Sequence, residues 1–127
     1  KKPKLKIISR KNGGISEAEL IKEYNLAKVH LALSRNEPFG LTTIESMSCG
    51  TPVVALDEGG FKESVVSSKT GYLVNPIDQQ IKSNLDKLLK DTLLRKRMSK
   101  KSREHVVNNF TWKKSAEEFI KIVNKNI

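Results

Sequence analysis

Two carboxylates separated by seven residues enclose a glycine turn near the middle of the chain. Glu37 precedes the turn Pro38-Phe39-Gly40, and Glu45 lies one turn into the helix that we predict to follow. The first N–H groups of a helix lack intrahelical acceptors and carry the positive end of the helix dipole. The segment therefore combines hydrogen-bond donors with two acidic acceptors. Such a combination suits a ligand that carries both hydroxyls and phosphates.

A strand before this segment and a helix after it must hold it in place. Alternating apolar residues at 29–34 predict a short buried strand, and residues 42–50 predict a short helix that ends at a glycine. The same order is repeated further along. A continuous apolar run at 53–56 is typical of a strand buried on both faces. A second glycine turn at 57–60 follows it and precedes a short helix at 61–66.

The remaining segments continue the alternation of strands and helices. Strands are predicted at 3–9 and 72–74, a helix begins after a capping box of Ser16 and Glu19, and further helices are predicted at 78–90, 93–107 and 111–123. This order predicts an α/β fold, a Rossmann-like doubly wound parallel sheet of about four strands with helices on both faces. Ligands bind outside the carboxyl ends of the strands in such sheets. Both glycine turns are expected at that edge.

Composition limits the class of protein. The chain of 127 residues is long enough for one domain with a hydrophobic core, and it has no apolar run of the ~18–20 residues that span a membrane. The single Cys49 excludes an internal disulfide, and no His or Cys cluster has the spacing of a metal site. We therefore expect a cytoplasmic protein without a metal site.

The net charge of +10 raises the question of an acidic partner. The lysines are spread over the first ten residues and the last third, mostly at polar positions of the predicted helices. No aromatic residues alternate with them as in proteins that stack bases. The pattern favours a solvated lysine-rich face. Peripheral contact at the cytoplasmic face of a membrane is the second alternative, and nucleic acid is the least favoured one.

The order of motifs resembles the group 1 (family 4) glycosyltransferases, which are retaining, nucleotide-sugar-dependent enzymes of the GT-B fold. Residues 37–55 are similar to the signature of that family, with its two glutamates, small-residue helix and Gly-Thr-Pro-Val strand. Residues 59–63 and 70–74 resemble the two landmarks that follow. Residues 16–24 resemble the helix before the signature, and residues 110–112 the start of the closing helices.

The resemblance implies roles for the residues that match the signature. Glu37 would be the catalytic-site acid that binds donor-sugar hydroxyls near the reacting carbon, and Glu45 would accept hydrogen bonds from the ribose. The main chain of the two turns and the first helical threonine would bind the donor sugar and phosphate. These residues are Phe39, Gly40, Leu41, Thr42, Gly59 and Gly60. No cofactor is implied beyond the nucleotide diphosphate sugar, which is the donor substrate. No metal is implied either.

The resemblance also implies that residues 1–127 are a donor-binding domain, truncated at its N-terminal side, from the C-terminal half of a GT-B enzyme. The N-terminal domain that supplies the acceptor pocket would then be a missing partner. The phosphate-clamping Arg and Lys of the family are not matched by Lys2, Lys4, Arg10 or Lys11. We therefore expect the isolated chain to bind nucleotide sugar weakly and not to turn over.

Alternatives stay open at several positions. Glu45 could instead close a capping box with Thr42, Glu37 could be a solvated loop acid, and Gly40 and Gly60 could serve the turns alone. For the whole chain, one alternative is another GT-B enzyme, such as a sugar-nucleotide epimerase or a glycogen-synthase-like polymerase. A non-enzymatic basic binding module is the other.

Four further residues are expected to be structural. Cys49 is predicted to be a small packing residue on the buried side of its helix. His30 is predicted to be a satisfied histidine of the core or its rim, and His105 to lie at the surface. Trp112 is predicted to anchor the core rather than to stack on a sugar.

Overall fold

The computed structural model describes residues 2–9, 11 and 13–127. Three strands alternate with helices in the first part of the chain, and three longer helices complete it. The strands are β1 (His30–Ala32), β2 (Val53–Leu56) and β3 (Gly71–Val74). The helices are α1 (Glu17–Leu26), α2 (Leu41–Ser48), α3 (Phe61–Ser64), α4 (Asp78–Lys90), α5 (Thr92–Asn109) and α6 (Trp112–Lys125).

The strands form a parallel sheet in the order β1-β2-β3. Leu31 pairs with Val54, and Val54 pairs with Tyr72 on the other side. All four residues of β2 are buried, as the continuous apolar run predicted for a central parallel strand. The predicted α/β class with a parallel sheet is confirmed. The three described strands lie side by side in chain order, so the strand order does not reverse within the described part of the chain.

The prediction of a fourth strand at residues 3–9 is wrong, since residues 2–9 form no strand in the structure. Leu5 and Ile7 are 70% and 74% exposed, and Lys6 forms an ion pair with Glu23 of α1 at 2.6 Å. Alternating apolar residues favour an extended backbone, but a strand also needs a neighbouring edge that accepts its hydrogen bonds. Alternation alone does not reveal whether such an edge exists.

The core lies around β2 and is closed by helices α2, α4 and α5. Its largest fully buried side chains include Met47, Val53, Phe61 and Leu88. Hydroxyls inside this core are paired: Thr43 Oγ1 lies 2.8 Å from Ser64 Oγ, so that α2 is tied to α3. Buried hydroxyls that keep partners avoid the cost of desolvation without compensation.

Helix α1 begins with the predicted capping box. The Glu19 N–H donates to Ser16 Oγ at 3.2 Å, and the Ser16 N–H donates to Glu19 Oε2 at 2.8 Å. The Ser16 hydroxyl also donates to Glu19 Oε2, at 2.8 Å. The hydrogen bonds from the Ser16 N–H and hydroxyl favour the charged carboxylate and lower the pKa of Glu19. The capping box fixes the start of the helix that carries Tyr24, which becomes important below.

Two predictions about the late helices are wrong. Trp112 is 92% exposed and anchors no core. Phe119, Ile120 and Val123 of the same helix are also exposed, and no residue of α6 is buried in the described chain. His105 is half-buried rather than at the surface, with Nε2 at 3.0 Å from the Ser64 carbonyl oxygen. Helical periodicity shows which residues share a side but not which side meets the core.

His30 also differs from its prediction. It is inside the fold, in β1, and its ring packs edge-on against Tyr24 with centroids 5.6 Å apart. Its Nε2 is buried without a hydrogen-bond partner among the described residues, so it is not the satisfied histidine that was predicted. Burial of this ring disfavours the charged form and lowers the pKa of His30 to about 4.

This burial predicts a loss of stability in mild acid. The His30 ring takes up a proton near pH 6.5 when the chain is unfolded but only near pH 4 when it is folded. The free energy of unfolding should therefore fall by at most about 3 kcal/mol as the pH drops from about 6.5 to about 4. Urea unfolding across this range should show that the variant His30→Gln has lost this part of the pH dependence. Identical pH dependence in both proteins would contradict the assignment.

Candidate functional site

The two glycine turns follow β1 and β2 and pack directly on each other. The Gly60 N–H donates to the Glu37 carbonyl oxygen at 2.9 Å. A Cβ built on Gly60 would overlap Phe39 Cα and lie 2.5 Å from the Pro38 carbonyl oxygen. A Cβ on Gly59 would overlap the Glu37 carbonyl group. The structure therefore requires both glycines for contact between the turns, and the Gly60 N–H is already used within the protein.

An acidic side chain reinforces this contact. Glu58 Oε1 accepts hydrogen bonds from Arg35 Nε at 2.9 Å and from the Asn36 N–H at 3.1 Å. Asn36 has a φ of 55°, so the Glu58 contact holds an unusual backbone conformation in place. No local sequence pattern indicates this contact, since it joins residues from two separate turns.

Glu37 lies three residues before Gly40, the N-cap of α2, and its carboxylate contacts the backbone at that position. Its Oε1 accepts the Gly40 N–H at 3.0 Å. Among the described residues its Oε2 contacts only the Ser34 hydroxyl, weakly, at 3.5 Å, so this oxygen retains capacity for a ligand hydroxyl. Because Glu37 takes the Gly40 N–H, a ligand would have to displace the carboxylate to use that amide. Binding by the Gly40 amide stays a prediction.

Gly40 is the residue that allows α2 to begin here. Its φ is 81°, a left-handed conformation that favours glycine, and a Cβ would lie 2.7 Å from the Phe61 ring. No side chain of the described residues caps α2: Gly40 is the N-cap, and Thr42 is already inside the helix. The alternative capping box of Thr42 with Glu45 is therefore wrong.

The first amides of α2 are available for a ligand. Leu41 and Thr42 are the first two residues of the eight-residue helix, and both are exposed. Their N–H groups have no acceptor among the described residues, whereas the Thr43 N–H donates to the Gly40 carbonyl oxygen at 3.0 Å. Two backbone donors at the positive end of a helix form a site that favours negative oxygen atoms.

Glu45 is exposed and held by a nearly buried tyrosine. The Tyr24 hydroxyl donates to Glu45 Oε2 at 3.2 Å, and Tyr24 is only 8% exposed. Burial, followed by the charge and hydrogen bond of Glu45, raises the pKa of Tyr24, so the hydroxyl stays a donor. In the sequence, Tyr24 stands out only as the last residue of the range 16–24, which resembles the helix before the signature. A phenol in the helix before the signature was the signal that could have revealed this contact.

The arrangement brings donors and acceptors to the edge of the sheet where β1 and β2 end. Backbone N–H groups of Leu41 and Thr42 lie on the same short helix as Glu45, and the turn 38–40 separates them from Glu37. No group of three metal-ligating side chains occurs in the part of the chain that the structure describes. No described helix is long and apolar enough to cross a membrane. The groups that the structure brings together at this edge can form hydrogen bonds with hydroxyls and with anionic oxygens.

A separate concave region of about 650 Å³ lies along α4 and the start of α5. Lys82, Asp86 and Lys87 are among the residues that line it, and none of the predicted site residues does. Its charged side chains pair mainly with one another, as in the 3.1 Å contact between Lys82 and Asp86. It offers no arrangement that matches the site at the end of β1 and β2.

Comparison with protein families gives a match over most of the chain. The model described as glycosyl transferases group 1 matches residues 10–105, which include both glycine turns and both glutamates of the signature. The match ends before α6.

Individual relatives agree with this result. The D-inositol 3-phosphate glycosyltransferase of Corynebacterium diphtheriae is 41% identical over 101 residues, which are 79% of this chain and 23% of that protein. A sucrose-phosphate synthase structure from Thermosynechococcus elongatus has a TM-score of 0.80 at 34% identity, covering 88% of this chain and 28% of that one. The HepE structure from Anabaena, in complex with UDP and glucose, has a TM-score of 0.75 at 23% identity, covering 86% and 30%. The chain spans 21% to 26% of the first curated relatives.

Proposed function

The chain belongs to the glycosyl transferases group 1 family, and from this premise we propose that residues 1–127 are the donor-binding domain of an enzyme that transfers a hexose from a nucleotide diphosphate sugar to an acceptor. One observation carries the proposal. The N–H groups of Leu41 and Thr42 are without acceptors in the described chain, and the Glu37 and Glu45 carboxylates flank them. The HepE protein of Anabaena, whose structure is similar to this fold, was solved in complex with UDP and glucose.

Each part of the donor has a matching group. The diphosphate would accept hydrogen bonds from the Leu41 and Thr42 amides at the positive end of α2. The vicinal hydroxyls of the ribose would donate to Glu45, in two charge-assisted hydrogen bonds. Hydroxyls of the sugar would donate to Glu37 Oε2, which forms one weak contact within the part of the chain that the structure describes. Near Gly59, the donor would contact the exposed backbone of the second turn.

The same groups would assist the transfer itself. The bond between the anomeric carbon and the diphosphate oxygen breaks, and the diphosphate leaves with the electron pair. The acceptor hydroxyl oxygen bonds to that carbon, and its proton passes to the departing diphosphate. Backbone donors and the helix dipole would stabilise the charge that develops on the diphosphate. We propose that retention of the anomeric configuration and independence of metal ions, both implied by the resemblance, hold here as well.

Two partners belong to the proposal. An acceptor domain outside these 127 residues is supported by the lengths of the relatives, of which this chain spans about a quarter. The exposed apolar side of α6 offers surface for such a contact. Peripheral contact with a membrane rests only on the net charge of +10 and stays a prediction, as does the cytoplasmic location.

Calorimetric titration tests the proposal against the alternatives. We expect weak one-to-one binding of a UDP- or GDP-linked hexose that free nucleoside diphosphate displaces and that changes little between about 50 and 200 mM salt. A basic binding module would instead bind polyanions with a steep loss of affinity over that range and ignore the sugar nucleotides. Conversion of the sugar itself, without transfer, in a longer chain would favour the epimerase alternative.

A further inference from the structure

Tyr24 is held through its ring, its backbone and the helix that carries it. Its ring packs edge-on against His30, its carbonyl oxygen accepts the Thr51 hydroxyl at 2.6 Å, and α1 itself is fixed by the capping box at Ser16. Tyr24 is 8% exposed. The position of its hydroxyl is therefore determined by packing and not by the solvent.

The side chain of Glu45, in contrast, is not held by packing. It is exposed on the second turn of α2, and a carboxylate on such a helix face ordinarily samples several rotamers in water. Here Oε2 accepts the Tyr24 hydroxyl, and this is the only hydrogen bond to the carboxylate in the described chain. The Oε1 atom and one remaining lone pair of Oε2 stay available for donors from a ligand.

We propose that Tyr24 is a positioning residue that holds the Glu45 carboxylate for the two ribose hydroxyls of a nucleotide. The inference rests on the proposed function, since it concerns the same site. A carboxylate held in one orientation loses less conformational entropy when a diol binds, so the donor is bound more tightly than by a free glutamate. A hydroxyl that only needed an acceptor could be satisfied by a backbone carbonyl. An exposed glutamate loses side-chain freedom when it accepts this hydrogen bond, whereas a backbone carbonyl does not.

The test removes only the oxygen of Tyr24. In Tyr24→Phe the ring contact with His30 is kept, and we expect the Kd for UDP to rise about three- to tenfold because Glu45 becomes mobile. The Kd for 2′,3′-dideoxy-UDP, which lacks both ribose hydroxyls, should be the same in the variant and the unaltered chain. NMR titration follows both Kd values into the millimolar range.

Tyr72→Phe provides the matched control, since Tyr72 is the other tyrosine of the chain and lies on β3. This variant should bind both nucleotides as the unaltered chain does. The inference would be overturned if Tyr24→Phe bound UDP as tightly as the unaltered chain does, or if it weakened the binding of both nucleotides equally. The proposed function would stand in either case. If the unaltered chain binds neither nucleotide, the proposed function fails and the inference fails with it.

Discussion

Replacing Glu45 with alanine is expected to weaken the binding of a nucleotide sugar about 100-fold or more. In the proposed complex both oxygens of this carboxylate accept hydrogen bonds from ribose hydroxyls, and each bond to a charged acceptor contributes about 1.5–3 kcal/mol. A loss of about 3 kcal/mol corresponds to somewhat more than a hundredfold in Kd. Calorimetry or NMR titration with UDP-glucose measures the effect.

The controls separate binding from folding. Glu45→Ala also leaves the Tyr24 hydroxyl without its acceptor, so Glu45→Gln, which keeps an acceptor oxygen, should fold like the unaltered chain and still bind much more weakly. Glu17→Ala removes an exposed acid from the first turn of α1 and should change neither property. Undiminished binding by Glu45→Ala would remove Glu45 from the site.

Replacing Gly60 with alanine is expected to lower the free energy of unfolding by about 3 kcal/mol or more. The new Cβ would overlap Phe39 Cα and lie 2.5 Å from the Pro38 carbonyl oxygen. Backbone atoms cannot move aside as a flexible side chain can, so the two turns must separate. Because domains of this size are stabilised by only about 5–15 kcal/mol, urea unfolding should show a large shift of the midpoint.

Gly14→Ala is the control for this prediction. A Cβ at Gly14 meets nothing within 4 Å, and only its φ of 69° opposes the substitution, at a cost of about 1 kcal/mol. If both variants lose the same stability, the contact between the turns is not what requires glycine at position 60. Gly60→Ala should in addition weaken nucleotide binding, since Pro38 and Phe39 lead directly into α2.

The sequence predicted those elements whose cause is local. The capping box of Ser16 and Glu19, the buried run of β2 and the helix α4 follow from short patterns that need no distant partner. The strand expected at 3–9 depended on an edge to pair with, and the anchoring role of Trp112 depended on where α6 packs. Both depend on distant parts of the fold, which local patterns do not specify.

The site, like the fold, could be predicted from the sequence only where its cause is local. The glycine turns and the start of α2 could be placed from the order of strand, turn and helix. The partners of each group could not. The Tyr24 contact with Glu45 joins residues 21 positions apart, and the Gly40 N–H proved to be taken by Glu37. Which amides remain for a ligand is therefore known only once the side chains have been placed.

The start of α2, between two acids, is central to the proposed function, and amide chemical shifts during titration with UDP-glucose test it most directly. We predict that the largest shifts occur at the N–H groups of Leu41 and Thr42, with smaller ones at Glu45. Shifts confined to the lysines of α5 and α6, with these three amides unchanged, would contradict the proposed donor site.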